Sequence, residues 1–320
     1  MNLTIFILGS MCCLPLGTMA YLPNKESSVP PMGWSLRAYH TDKESCEADA
    51  SVCASEQLIN HTMDLLIRKG LHEAGYRYIH LDSEWRSVGR NPFRWDTDLE
   101  RFPSGLLNLS LNLRTKHMKL GVSLLTDDAH IYQDVDAISE WQVKYVSIVG
   151  NVEINEIGNE LFGKYIKEQL MLGDSQFLAC SAGCRREYGC TSFAQWDWDR
   201  ILPNCNSWTP YRDPALDWIS ILNAIELIRN DANLLYGIVS PGRWNDMGLL
   251  SVGEKYLTPE EQRTQMAMWC LFASPLFIRS DIGSFDDFAL GLLKNRRLIA
   301  IDQDSGSRMP RFVGNMSGIQ

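Results

Sequence analysis

Between about residues 30 and 305, short apolar runs alternate with longer stretches whose apolar positions recur at helical spacing. That alternation predicts βα units and a parallel sheet buried on both faces. Helical spacing is clearest over 54–70, where Leu58, Met63, Leu65, Leu66 and Ile67 share a stripe. It recurs over 106–117, 138–142, 160–171, 217–229 and 259–271. The runs that read as strands are 78–82, 119–125, 145–149, 177–180, 235–239 and 275–278. No repeat, low-complexity run or linker interrupts them. The count approaches eight, which favours a closed (β/α)8 TIM barrel over an open sheet and puts any chemistry at the C-terminal ends of the strands.

With 320 residues and 45% hydrophobic side chains, the chain can fill one large core. Residues 1–20 form an apolar run too short to span a bilayer comfortably, ending in Thr18 and Ala20 at cleavage spacing. They read as a signal peptide, although they lack Lys and Arg; the alternative is an N-terminal hydrophobic helix or anchor. After its removal no membrane span is expected. Residues 21–30 are then an N-terminal segment, 31–305 the barrel and 306–320 a tail.

Seven cysteines remain after residue 20: Cys46, Cys53, Cys180, Cys184, Cys190, Cys205 and Cys270. In an oxidising compartment they would make three pairs and one leftover, and Cys270, in an apolar segment, suits the buried free thiol. A zinc site around Cys184 and Cys190 competes, but no close histidine or CxxC supports it. Sequons at Asn60, Asn108 and Asn315 fit a secreted or lysosomal glycoprotein, and such triplets also arise by chance. The formal net charge of -9 argues against a nucleic-acid partner. No cofactor signature appears, and the six histidines lack metal-ligand spacing.

Several predicted strand ends carry recognisable words: Pro31-Met-Gly-Trp34, Ala74-Gly-Tyr-Arg-Tyr-Ile-His-Leu-Asp82 with Trp85, Arg101-Phe-Pro-Ser-Gly105, Gly242-Arg-Trp-Asn-Asp246, Ala273-Ser-Pro-Leu-Phe277 and Ile299-Ala-Ile-Asp-Gln-Asp304. In this order and spacing the chain resembles glycoside hydrolase family 27, the α-galactosidase and α-N-acetylgalactosaminidase group. The resemblance covers about residues 30 to 305 and implies a (β/α)8 barrel followed by a small antiparallel β domain. The chain stops at Gln320, so that β-sandwich domain is expected to be missing, in a bare barrel or in a fragment. A second copy of the chain is a candidate partner on the same resemblance.

Such enzymes are retaining, with two carboxylates about 5 Å apart, one attacking the anomeric carbon and the other protonating the leaving oxygen. The resemblance puts the nucleophile, an aspartate before a glycine at the fourth strand's tip, at Val149, which has no lone pair to attack with. It puts the acid/base at Asp213, five residues after the Cys205-Asn-Ser-Trp208 word. The competing reading makes Asp213 the cap of a helix starting near Pro214.

The implied sugar-binding shell is thinned in the same direction. Trp34 and Asp82 are kept. Ser83, Ser147, Ser181 and Thr209 stand where the resemblance implies an aspartate, a lysine, a glutamate and an arginine, and Gly248, Ser123 and Leu125 mark further losses. Each missing charge-assisted contact removes about 1.5–3 kcal/mol of binding. The implied disulfides are Cys46–Cys53 and Cys180–Cys205. Two other pairs are lost jointly, with Glu84, Asp42 and Asn151 among the replacements, and Cys184 and Cys190 are additional and near enough to bridge a local loop.

Three functions compete: a silent secretory-pathway barrel binding a glycan or an extracellular protein, an active glycosidase with a recruited carboxylate, and a purely structural or interaction protein. Glu153, Glu84, Asp127 and Asp128 are the candidates for recruitment, but Glu153 would sit roughly 13 Å from position 149 on an extended backbone. Trp196 and Trp198 suit either sugar stacking or core packing at the barrel rim.

Overall fold

Glycines at two strand positions let the barrel fill with aromatic rings. A Cβ on Gly33 would lie 2.3 Å from the Tyr78 carbonyl oxygen and 2.8 Å from the Phe277 ring. One on Gly121 would lie 3.1 Å from Tyr145 and 3.3 Å from His80. The structure, a computed structural model, describes residues 26–36, 53–87, 94–125, 130–148, 176–181, 192–209, 217–306 and 309–310.

After strand β1 (Met32–Ser35), helix α1 (Glu56–Arg68) starts where the Ser55 hydroxyl accepts the Leu58 amide at 3.2 Å, and it buries Leu58, Ile59, Met63 and Leu66. The single turn α2 (Leu71–Ala74) leads to β2 (Tyr78–Leu81), then α3 (Gly105–Thr115), β3 (Lys119–Leu124), α4 (Ile131–Glu140) and β4 (Tyr145–Ile148). Beyond them come β5 (Phe177–Ser181), α5 (Trp198–Asn204), β6 (Ser207–Thr209), α6 (Trp218–Asn230), α7 (Ala232–Ile238) and β7 (Trp244–Asn245). The described residues finish with α8 (Pro259–Leu271), β8 (Leu276–Ile278), α9 (Asp287–Leu293) and α10 (Arg296–Asp302).

All eight strands pair in parallel, in the order β7-β6-β5-β4-β3-β2-β1-β8. Leu250, just after β7, bridges Ile278 of β8, with its amide 2.7 Å from the Phe277 carbonyl oxygen, and brings the two ends of the sheet together. The predicted (β/α)8 barrel is therefore what the chain forms.

Side chains alternate across each strand, so Tyr78, His80, Tyr145, Phe177 and Phe277 share the interior. Tyr145 centres this cluster, with ring centroids 5.3 Å from Phe177, 5.0 Å from Phe277 and 5.2 Å from His80. Below it, Glu26 accepts from the Tyr78 hydroxyl at 2.6 Å and from the Lys119 ammonium, while the Trp244 indole donates to the Ser27 carbonyl at 3.0 Å. Residues 26 and 27, within the predicted N-terminal segment, thus seal the N-terminal end of the barrel.

One predicted strand is wrong. Residues 235–238 belong to helix α7, and the seventh strand is Trp244–Asn245. A five-residue apolar run fits either element; here Leu235 and Val239 are buried while Tyr236 is exposed, the four-residue spacing of a helix. The α6 cap is Asp217, which accepts the Ser220 amide at 2.8 Å; Asp213 and Pro214, with the helix start expected there, lie outside the described residues.

Cys180 and Cys205 form the expected disulfide, with Cα atoms 5.8 Å apart, tying β5 to the start of β6. Cys270 is free and buried, as expected. Cys53 is disulfide-bonded. Cys46, Cys184, Cys190, the 160–171 helix, the signal segment 1–20 and most of the 306–320 tail lie outside the described residues.

Candidate functional site at the C-terminal strand ends

Interior positions turn polar toward the C-terminal mouth. On β2 the series runs Tyr78, His80, Asp82; on β3, Gly121 then Ser123; on β4, Tyr145 then Ser147. The His80 ring lies between two hydroxyls, with Nδ1 3.3 Å from Ser35 Oγ and Nε2 3.2 Å from Ser123 Oγ. Those bonds, with Tyr145 edge-on to the ring, make a buried polar layer beneath the mouth. His80 and Tyr145 carry this layer, and neither stood out in the sequence. Their signal was positional: each lies two residues before a strand-end candidate and so shares its face.

Asp82 follows β2, half-buried, and exposed Ser83 opens the one-turn helix Ser83–Trp85. Half-buried Asp246 follows β7 and accepts the Gly248 amide at 2.9 Å. Burial pushes the Tyr145 phenol well above its usual range, and Asp246 and Asp82 push it further. Both carboxylates therefore act on one phenol from opposite sides of the sheet order. Held protonated, Tyr145 is a poor nucleophile.

Ser147 and Thr209 are half-buried at the tips of β4 and β6, and Ser181 ends β5. Gly248 has φ 87°, a left-handed conformation that favours glycine, and its carbonyl accepts the Trp269 indole at 2.8 Å. The backbone conformation by itself suits glycine at this position.

Trp34 needs correction as a ligand-binding residue. Gly33 faces the interior, so the next side chain faces away; the Trp34 indole is 0% exposed and donates to the Ser280 carbonyl at 3.2 Å. It fastens β1 to the segment after β8. Trp196 and Trp198 fall to core packing: Trp196 is buried, Trp198 half-buried, their rings stack at 5.5 Å, and Phe193 and Trp208 close around them. Glu84 is half-buried beside Trp85. Val149, Asp213, Glu153, Asp127 and Asp128 lie outside the described residues.

Of the sequon asparagines, Asn108 is exposed on α3, whereas half-buried Asn60 on α1 accepts from Asn112 at 2.9 Å. Asn315 lies outside the described residues. Among the described residues no three His, Cys, Asp or Glu side chains converge as a metal site requires.

The described mouth can exchange hydrogen bonds with a hydroxyl-rich ligand through Asp82, Asp246, Ser147 and Thr209. A parallel eight-stranded barrel with its polar groups gathered there has the architecture of barrel enzymes. The family model described as alpha galactosidase A matches residues 29–304, and the chain belongs to that melibiase family. It is 27% identical over 300 residues to the α-N-acetylgalactosaminidase of Gallus gallus, covering 88% of this chain and 72% of the relative. It is 26% identical over 294 residues to α-galactosidase A of Homo sapiens, covering 88% and 68%. In fold it is similar to α-galactosidase I of Mortierella vinacea, with TM-score 0.73 at 19% identity, covering 92% of this chain and 80% of that one.

Proposed function

We propose that the chain is a catalytically silent α-galactosidase-type barrel of the secretory pathway, secreted or lysosomal, whose mouth binds a glycan or an extracellular protein. The observation that carries this reading is Val149 at the position immediately after the last residue of β4, where the family's chemistry requires a carboxylate. The uncharged replacements Ser83, Ser147, Ser181 and Thr209 support it: they lower affinity for a sugar held in the family's manner, yet leave hydroxyls suited to weaker contacts. Asp213 keeps the acid/base position, but an acid without a nucleophile cannot complete a double displacement. Glycosylation belongs to the same reading, at Asn108 first because it is exposed.

A second reading is hydrolysis through a recruited carboxylate, and Asp82 and Asp246 stand half-buried at the strand ends where such a group would have to sit. A glycan array probed with the purified chain, alongside turnover of nitrophenyl α-galactoside and its N-acetyl analogue, separates the two. Binding without turnover is expected. Turnover that disappears in Asp213→Ala would overturn the silent reading.

A further inference from the structure

Asp302 is the last residue of α10 and is 0% exposed. Its Oδ2 accepts from the Gln303 side-chain amide at 2.6 Å, and that amide also donates to the Pro30 carbonyl at 2.8 Å. Its Oδ1 is buried and meets no donor among the described residues. A carboxylate here would face the negative end of its own helix.

Two other elements bring titratable groups on which it acts. Cys270 of α8 is a free buried thiol, and Tyr76, in the turn before β2, donates its hydroxyl to the Leu293 carbonyl at the end of α9 at 3.0 Å. Both are acids, so each could add only negative charge. Burial raises all three groups above their ordinary values, and Asp302 raises Tyr76 and Cys270 further. A protonated carboxyl removes the larger cost: with the hydrogen on Oδ1 no charge is buried, and the unpaired atom is neutral.

We propose that Asp302, enclosed by α8, α10 and Tyr76, makes this fold sturdier in acidic surroundings than in neutral ones. The sign follows from proton binding. Below the ordinary aspartate value, about 3.9, folded and unfolded chains both keep the proton and nothing is lost. Above it the unfolded chain releases the proton while the folded chain retains it. Each further pH unit then lowers the folding equilibrium constant about tenfold, until the folded carboxyl also ionises.

The experiment is urea unfolding of the full chain and of Asp302→Asn from acidic to neutral pH. Asparagine keeps an acceptor for Gln303 and cannot ionise. Other carboxylates contribute equally to both proteins, so the difference between the two curves isolates this one. The expected result is near-coincident stability in acid, with the wild type falling behind by about tenfold in equilibrium constant per pH unit toward neutrality. Parallel curves would overturn the proposal. Should the variant not fold, the infrared spectrum of the wild type decides: a carboxylic-acid carbonyl band persisting at neutral pH supports the proposal, and its absence refutes it.

Discussion

At the N-terminal end of the barrel, Glu26 accepts from both Lys119 and Tyr78 while Trp244 reaches down to Ser27; at the C-terminal end, Asp82 and Asp246 stand half-buried near Ser147 and Thr209. The first set is a seal, with a buried charge matched by specific donors. The second is a polar surface of half-buried side chains, and on the proposed reading its serine and threonine stand in place of charged sugar-binding groups. Between the two ends, Gly33 and Gly121 make room for the interior rings. On the proposed reading, what specifies the scaffold is kept and what would hold and attack a sugar is thinned. Stability and catalysis rest on different residues of one barrel, so either can be lost without the other.

That contrast can be broken by substitution. The largest effect is expected for Gly33→Ala, whose Cβ would enter the Tyr78 backbone; the strands must part, at about 3 kcal/mol in a urea titration. Glu26→Gln keeps an acceptor for Tyr78 but removes the charge facing Lys119. It should cost about 1–2 kcal/mol by the same titration, with the smaller figure at high salt because Lys119 is partly exposed. Ser147→Ala and Thr209→Ala should each change stability by less than about 0.5 kcal/mol, as expected of half-buried positions outside the seal. Losses at the mouth as large as those at the seal would show that the hydroxyls are structural and would remove the distinction.

Much of this architecture could be read from the sequence because its signals are local. The helix Pro259–Leu271 has the expected bounds because Thr258 and Glu261 form a reciprocal capping box around Pro259. Lys119–Leu124 alternates cleanly and lies within one residue of expectation. The segment 235–239 failed because five apolar residues carry no period of their own, and only packing makes them helical. Trp34 was misread for a related reason: a word at a strand end does not reveal which face its tryptophan takes, and here Gly33 takes the interior. His80 and Tyr145 escaped notice because their role lies in register between strands, through Ser35, Ser123 and the distant Asp246. The Cys180–Cys205 pairing was implied by the resemblance, and the adjacency of β5 and β6 accounts for it.

The central claim is that this mouth no longer forms a covalent bond to a sugar. Its most direct test is intact-mass spectrometry after prolonged incubation with a fluorinated galactosyl inactivator of the kind that traps the glycosyl-enzyme intermediate of retaining galactosidases. The account predicts an unchanged mass for the wild-type chain. A gain of one glycosyl unit, mapped by peptide digestion to Asp82, Asp246 or any other carboxylate, would show that a nucleophile has been recruited and would contradict it.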